Sequence, residues 1–407
     1  MSNTPSESGE QNCIVDDNAD SFDASDLKPI KKVVNLHEIG DYAWTPLAEI
    51  GNPLRSLEYN PDTKTLRILD QLLLPGETKH VEVKSVEDGY AVIKNMQVRG
   101  APLIATVGTL SLAVDLNQEP ALSMEYDMLF SYIEERCQHL LSSRPTAINL
   151  KNSINQIDKI LDLDLRNMPV DPARLRKSIQ DAAYHWYISE MAENDLLLKN
   201  ATLCIESFSP SSNYKFTIMT ICNTGSLATS SFGTALGVIR QLHVRNRLEK
   251  AIALETRPYN QGSRLTAYEL LHDKIPFMLI TDSMAAAAMR TFGVDAVLVG
   301  ADQIALNGDT ANKIGTYSLA VLAHHHKIPF YVVAPVSTIN QRILSGSAIK
   351  IEERPALELI TFNGKPSAPQ GTPVWNPAFD VTPASLISGI LTDKGNFLPE
   401  NLASLFA

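Results

Sequence analysis

The sequence predicts an α/β protein. We expect a Rossmann-like C-terminal domain with a parallel sheet, preceded by a mostly α-helical N-terminal domain with a small antiparallel β entrance. Three observations support this fold class. From residue 216 onward, short β-branched apolar runs alternate with helical patterns, as they do in parallel sheets. Helical periodicity dominates the region before it. The first 45 residues are polar and acidic. The predicted divisions are a disordered acidic tail (1–45), the helical domain (46–198) and the Rossmann-like domain (199–407).

Composition restricts the possible classes of function. The net charge is −11 with a pI near 5.3, which argues against broad nucleic-acid binding. Residues 1–27 contain seven acidic residues and no basic ones, so the rest of the chain carries only −4 and can form a basic pocket for an anion. The four cysteines show no C-x-x-C spacing, which predicts reduced thiols rather than a zinc cage or disulfides.

Targeting signals are weak. No apolar run reaches membrane-spanning length, and the N-terminus lacks the pattern of a signal peptide. We therefore expect a cytoplasmic protein that does not bind membranes. The basic patch formed by Lys28, Lys31 and Lys32 raises the nucleus as a second location, although a solvated loop explains this patch more simply.

The N-terminal domain is predicted to open with a hairpin. Asn60-Pro61-Asp62 provides strong turn chemistry between Leu57–Tyr59 and Leu66–Asp70, and a further strand covers His80–Val83. Helical patterns follow at Val86–Met96, Ala101–Leu116, Met124–Ser142, Leu150–Leu163 and Pro172–Leu198.

The C-terminal domain alternates strands and helices, which predicts parallel strands joined by right-handed crossovers. Strands are predicted at Phe216–Ile221, Ala251–Leu254, Phe277–Ile280, Ala296–Val299 and Phe330–Val333. Helices are predicted near Thr229–Leu242, Arg264–Leu271, Ser283–Thr291 and Asn312–His325. No G-x-G-x-x-G sequence follows the first strand, so a dinucleotide cofactor is not indicated.

Cys222 follows the first of these strands, at the edge where open α/β sheets bind ligands. The turn that contains it is predicted to lead into a helix N-terminus, whose positive end favours the thiolate. A small buried cysteine that only fills space is the alternative.

Two further strand ends carry polar groups. Asp302 follows an apolar strand, where poor solvation raises a carboxyl pKa and suits a general acid, although a turn or capping aspartate is also possible. The Asn307–Thr316 turn was expected to lead directly into a helix, placing Asn312 and Lys313 at its N-terminus as a phosphate site. The full pattern of a nucleotide-triphosphate loop is absent.

The N-terminal domain adds two arginines that precede helix starts, Arg99 in Arg99-Gly100-Ala101-Pro102 and Arg144 in Ser143-Arg144-Pro145-Thr146. Arginine suits bidentate recognition of anions, but each could equally lie on the surface. The histidine run at 324–326 is better explained as a polar helix end, and no spacing typical of metal ligands occurs, so we predict no metal.

Taken together, the motifs resemble the methylthioribose-1-phosphate isomerase family over about Leu57 to Phe397. The wider family also contains ribose-1,5-bisphosphate isomerases and the regulatory subunits of a translation-initiation guanine-nucleotide exchange factor. The matching motifs are Arg99–Pro102, Ser143–Thr146, Cys222–Gly225, Glu255–Gly262, Gly300–Asp302, Asn307–Lys313 and Trp375–Pro383.

This resemblance implies an aldose–ketose isomerase of methionine salvage. The enzyme would act on a small sugar phosphate, 5-methylthioribose 1-phosphate, as a homodimer without a cofactor. Asp302 would be the proton donor and Cys222 its catalytic partner. The resemblance assigns substrate binding to Arg99, Gly100, Ala101, Arg144, Gln261, Asn312 and Lys313.

Two questions stay open at this point. The hydrogen at C2 could leave as a proton taken by Cys222, or it could move as a hydride from C2 to C1. The alternatives to this activity are isomerisation of ribose 1,5-bisphosphate and a non-catalytic regulatory role in a translation-initiation exchange factor.

Overall fold

The structure is a computed structural model that describes residues 33, 54–145, 147–166, 171–362 and 364–406. Apart from Val33, the predicted acidic tail lies outside the described residues. Within these ranges, no helix combines the length and apolar character that crossing a bilayer requires.

A small antiparallel sheet opens the described chain, as the turn chemistry predicted. It consists of β1 (Leu57–Asn60), β2 (Thr65–Leu69) and β3 (His80–Val83), in that order. The Asn60 side chain closes the hairpin by accepting hydrogen bonds from the backbone N–H groups of Asp62 and Thr63, at 2.9 and 3.1 Å.

Five helices follow and form their own hydrophobic core. They are α1 (Val86–Lys94), α2 (Ala101–Asp115), α3 (Tyr126–Ser143), α4 (Ile148–Leu165) and α5 (Pro172–Ser207). Helix α2 is buried along nearly its whole length because α1, α4 and α5 pack around it. Helix α5 continues past the predicted end at Leu198 and packs against α6 (Ala235–Val244) of the C-terminal half.

The C-terminal half contains a seven-stranded sheet in the order β16-β15-β10-β7-β4-β5-β6. Its strands are β4 (Phe216–Thr220), β5 (Leu248–Leu254), β6 (Phe277–Ile280), β7 (Ala296–Val299), β10 (Phe330–Val333), β15 (Gly389–Thr392) and β16 (Gly395–Phe397). All neighbouring strands are parallel except the pair β15 and β16. The crossover helices after α6 are α7 (Ala267–His272), α8 (Ala285–Phe292) and α9 (Thr316–His325).

The predicted fold class is therefore confirmed, and the topology indicates where a ligand binds. Strand β4 comes first in this sheet. Strands β5 and β6 extend the sheet on one side of β4, and β7, β10 and β15 extend it on the other. The chain order thus reverses at β4, and open α/β sheets bind ligands outside the carboxyl ends of the strands at such a point.

A second, four-stranded sheet lies beside this edge and was not predicted. It pairs β11 (Ile339–Asn340), β8 (Gln303–Ala305), β9 (Thr310–Lys313) and β14 (Phe379–Thr382) in that order. The remaining elements are helix α10 (Leu357–Ile360) and the short hairpin β12 (Thr361–Phe362) and β13 (Lys365–Pro366).

The predicted helix Asn312–His325 was wrong at its start. Asn312 and Lys313 belong to β9, and α9 begins only at Thr316. Antiparallel pairing with β14, far along the chain, fixes β9 as a strand. Asp380 in β14 then accepts hydrogen bonds from the N–H groups of Gly315 and Tyr317, at 2.7 and 3.0 Å, and so caps the helix in place of the predicted phosphate site.

Candidate active site

A cavity of about 890 Å³, including its open mouth, lies at the carboxyl ends of β4, β7 and β10, where α2 and β9 also meet it. Every residue that the sequence assigned to the site lines this main cavity. These residues are Arg99, Gly100, Ala101, Arg144, Cys222, Gln261, Asp302, Asn312 and Lys313.

Cys222 follows β4 in a left-handed conformation (φ 68°), which turns the chain sharply into the loop of residues 221–234, here called the Cys222 loop. Its N–H donates to Thr256 Oγ1 at 2.8 Å, and its carbonyl accepts from Thr266 Oγ1 at 2.6 Å. The thiol residue is thus fixed on both sides and is 5% exposed.

The expectation that Cys222 sits at a helix N-terminus was wrong. The following helix, α6, begins at Ala235, well beyond the cysteine. Thr224 is the residue that caps this helix, because its Oγ1 accepts from Leu236 N–H at 3.1 Å. The positive end of α6 therefore does not act on the thiol in the manner predicted, since a helix dipole is felt within its first turn.

Asp302 lies just after β7, and its backbone N–H donates to Ala311 O in β9 at 2.9 Å. Its carboxylate makes no hydrogen bond within the described residues. Burial raises the pKa of Asp302, and the nearby charges of Lys313 and Arg99 only partly oppose that shift. The direction agrees with the prediction from its apolar strand, and it favours the protonated acid more than in a carboxyl exposed to water.

Lys313 reaches the cavity from β9, with its ammonium 4.7 Å from the centre of the Phe379 ring. In the described part of the chain it forms no ion pair. Burial lowers the pKa of Lys313, although Cys222 and Asp302 act in the opposite direction. An enclosed cation without a partner is suited to receive an anionic ligand.

The two arginines are held differently. Arg99 donates from Nη1 to Asn223 Oδ1 at 2.8 Å and from Nη2 to the Asn223 carbonyl at 2.7 Å. Arg144 donates to Glu352 at 3.1 Å, and Glu352 in turn accepts from Arg354 at 2.8 Å. Burial alone would raise the pKa of Glu352, but these two arginines hold it below its usual value.

The remaining predicted residues are positioned by the backbone. Gly100 (φ 99°) precedes α2, so the first turn of this helix borders the cavity. Gln261 is 2% exposed, and its Oε1 has no hydrogen-bond partner among the residues that the structure describes. It leads into an unusual π-helical turn at Gly262–Thr266. Asn312 is oriented by its Nδ2 donating to Thr316 Oγ1 at 3.1 Å.

Several cavity residues escaped the sequence analysis, among them Asn223, Thr338 and Phe379. Asn223 and Phe379 do stand in quoted motifs, which was the available signal, but Thr338 belongs to none. Across the described ranges, no group of three or more His, Cys, Asp or Glu side chains is arranged to hold a metal.

Comparison with known proteins decides the family. A profile of the initiation factor 2 subunit family matches residues 97–399, which include all nine predicted site residues.

The chain belongs to the initiation factor 2 subunit family.

Within this family, the chain is 52% identical to the methylthioribose-1-phosphate isomerase of Caenorhabditis briggsae, over 92% of this chain and 97% of the relative. The Caenorhabditis elegans protein of the same name is 51% identical over the same shares.

Two solved structures of the family are also similar. The 5-methylthioribose 1-phosphate isomerase of Pyrococcus horikoshii OT3 is 38% identical with a TM-score of 0.79, over 91% of this chain and 99% of the other. The translation initiation factor eIF-2B subunit delta of A. fulgidus is 35% identical with a TM-score of 0.72, over 86% and 97%.

Proposed function

We propose that this chain is an aldose–ketose isomerase that converts 5-methylthioribose 1-phosphate into 5-methylthioribulose 1-phosphate. One observation carries the proposal. All nine residues that the family resemblance assigned to catalysis and binding line one cavity, in a chain 52% identical to a relative named for this activity.

The chemistry of the substrate explains the need for an acid. Phosphate on the anomeric oxygen prevents simple opening to a free aldehyde, so the bond between C1 and the ring oxygen must break with that oxygen protonated. Asp302, whose pKa is raised by burial, supplies this proton. Its carboxylate then accepts the proton of the C2 hydroxyl as the ketone forms, which restores the acid.

The hydrogen on C2 must reach C1, and two routes balance. In one, Cys222 takes it as a proton while a C1–C2 double bond forms, and then returns a proton to C1. In the other, it moves directly as a hydride to C1, and Cys222 only shapes the pocket. With C2-deuterated substrate in ordinary water, full retention of deuterium at C1 would contradict the proton route.

The cations of the main cavity and the start of α2 would bind the phosphate group. Lys313 has no ion-pair partner among the described residues, and Arg99 keeps three of its five guanidinium N–H groups after its two bonds to Asn223. The first turn of α2 at Gly100 and Ala101 adds backbone N–H groups, which favour anions. Gln261 and Asn312 would hold the sugar hydroxyls.

A second cavity favours the methylthio substrate over ribose 1,5-bisphosphate. It shares Met96, Arg144, Gln261 and Lys313 with the main cavity. The rest of its wall combines apolar residues with polar ones; these are Pro258, Ile314, Pro377 and Ala378, and Tyr259, Asn376, Arg354 and Glu358. The cation that it adds, Arg354, already pairs with Glu352 and Glu358 at 2.8 and 2.5 Å. A methylthio group can pack against these apolar residues, whereas a second phosphate would meet the Glu358 carboxylate and would have to share Lys313 with the first phosphate.

Three wider statements belong to the same proposal. The enzyme would serve methionine salvage, act as a homodimer, and reside in the cytoplasm, with the nucleus as a second location. A purely regulatory role in translation initiation is less favoured, because such a role does not require an acid and a thiol on one cavity.

The test is a direct assay of the purified full chain. Methylthioribose 1-phosphate, without added cofactor, should give the ketone carbon signal by NMR, and ribose 1,5-bisphosphate should turn over at least tenfold more slowly. Asp302→Asn serves as the inactive control. No ketone from the first substrate, or faster conversion of the bisphosphate, would reject the assignment.

A further inference from the structure

Beneath the Cys222 loop lies a fully buried carboxylate, Glu269, on α7. It accepts five hydrogen bonds. Four come from the Cys222 loop, namely from Asn223 Nδ2 (2.7 Å), Ser226 N (2.9 Å), Ser226 Oγ (3.0 Å) and Leu227 N (3.1 Å). The fifth comes from Arg240 (2.5 Å). Glu269 is in none of the motifs quoted above and does not line the main cavity.

The Cys222 loop packs closely against the Glu269 carboxylate. A Cβ atom on Gly225 would lie 2.1 Å from Glu269 Oε2, so only glycine allows the backbone to approach so closely. On its other side the loop contacts the start of α2, where Leu103 N–H donates to Ala228 O at 3.3 Å. The Cys222 loop, which Glu269 holds in place, therefore also contacts α2 on the other side of the main cavity.

The decisive contact is the one with Asn223. A carboxylate can only accept hydrogen bonds, so the Asn223 amide must turn its NH₂ group toward Glu269. Its Oδ1 then necessarily faces Arg99, which donates to it at 2.8 Å. If the amide turned over, its NH₂ group would face the guanidinium, and two donors would oppose each other.

We propose that Glu269 is a positioning residue that sets the anion-binding geometry of Arg99 through the Asn223 amide. The two bonds to Asn223 fix the guanidinium plane, and the remaining N–H groups are thereby aimed before a ligand arrives. The inference rests on the proposed function only in taking the main cavity as an anion site.

The test titrates the full chain with inorganic phosphate by calorimetry. Glu269→Gln keeps the shape of the side chain but offers an NH₂ group of its own. The Asn223 amide then loses the charged acceptor that orients it, and on that side only the 3.3 Å bond from Asn223 Nδ2 to Thr266 Oγ1 is certain to remain. We expect the phosphate Kd to rise about tenfold, as for other directly coupled polar pairs. An unchanged Kd would overturn the proposal.

Asp273→Asn is the matched control. Asp273 accepts from Nε of the same buried Arg240 at 2.6 Å, but within the described residues it forms no hydrogen bond to the Cys222 loop. A general loss of structural support would weaken phosphate binding in both variants. We expect Asp273→Asn to lower stability while changing the phosphate Kd less than about twofold. An equal weakening by both would show that Glu269 acts only as structural support.

Asn223→Ala keeps the proposal testable should Glu269→Gln not fold. It must itself raise the phosphate Kd, and Glu269→Gln added to it should cause little further change, because the link is already cut. Unchanged phosphate affinity in Asn223→Ala would overturn the inference. Since no turnover is needed, a chain that binds phosphate in this manner without isomerising sugar would contradict the proposed function alone.

Discussion

Arg240 and Lys313 are two enclosed cations near the same sheet edge, and their pKa values move in opposite directions. Burial lowers the pKa of both. At Arg240 the carboxylates of Glu269 and Asp273 outweigh burial, and its pKa is raised. At Lys313 the neighbouring Cys222 and Asp302 do not outweigh burial, and its pKa is lowered. The first charge is compensated by the protein, whereas the second awaits a partner.

The two acids differ in the same way. Glu269 is surrounded by five donated hydrogen bonds, whereas the carboxyl of Asp302 has none within the described residues, and burial raises its pKa. Among these four residues, Arg240 and Glu269 have ion-pair partners and hold the loop, whereas Lys313 and Asp302 have none within the described residues and face the cavity. Arg99 and Arg144 also line the cavity, although they are bonded to Asn223 and Glu352. For the four residues compared, hydrogen-bond satisfaction therefore distinguishes scaffold from site better than burial does.

The largest effect expected from this contrast is on turnover. Asp302→Asn removes the acid, so kcat should fall by about 10²- to 10⁴-fold. Because the pKa of Asp302 is raised in the folded protein, the wild type loses stability as pH rises from the pKa of the unfolded state, and this loss is complete above the folded-state pKa. The variant should therefore melt higher than wild type at pH 8, with a smaller difference at acid pH. Steady-state assays and calorimetric melting measure both effects.

Asp309→Asn is the control for this prediction. Asp309 is a carboxylate with backbone partners, accepting from Gly346 and Ala384 N–H at 2.8 and 2.9 Å, and it does not line the main cavity. The Asp309→Asn variant should lose stability and keep the kcat of the wild type. If Asp302→Asn instead melted lower than wild type at pH 8, the distinction between scaffold and site charges would fail.

The next effect is on stability, and it should have opposite signs at the two cations. Arg240→Met leaves the buried Glu269 and the partly exposed Asp273 without their shared arginine and should cost about 3–5 kcal/mol of unfolding free energy. Lys313→Met removes an uncompensated charge and should leave the free energy of unfolding equal or higher, while weakening substrate binding. Urea unfolding at pH 7 compares the two variants. A similar loss of unfolding free energy in both would mean that another group of the protein already compensates the charge of Lys313.

The residues of the site and those that support it differ in how far the sequence alone predicts them. Cys222, Asp302 and the arginines could be found because polar residues directly after apolar runs, or before helix starts, are visible locally. Glu269 could not, because Tyr268-Glu269-Leu270 reads as an ordinary helix turn, and its partners lie more than twenty residues away. The strand at Thr310–Lys313 was missed for the same reason, since it is fixed by pairing with β14.

The smallest expected effect is on pH dependence. Asp302 must be protonated to donate a proton to the ring oxygen, so activity is lost as pH rises through the raised pKa of Asp302. Lys313 must be charged to bind phosphate, and its lowered pKa brings the loss of that charge toward neutral pH as well. Both groups therefore make kcat/KM fall as pH rises.

Lys313→Arg separates the two contributions, because a guanidinium stays protonated across the range in which a lysine with a lowered pKa loses its charge. In this variant the alkaline fall in kcat/KM should become shallower and reflect Asp302 alone, whereas KM should rise because the planar fork replaces a compact ammonium. Measured profiles of kcat/KM against pH compare the two enzymes. An unaltered alkaline limb would mean that Lys313 keeps its charge throughout, and hence that its environment is compensated like that of Arg240.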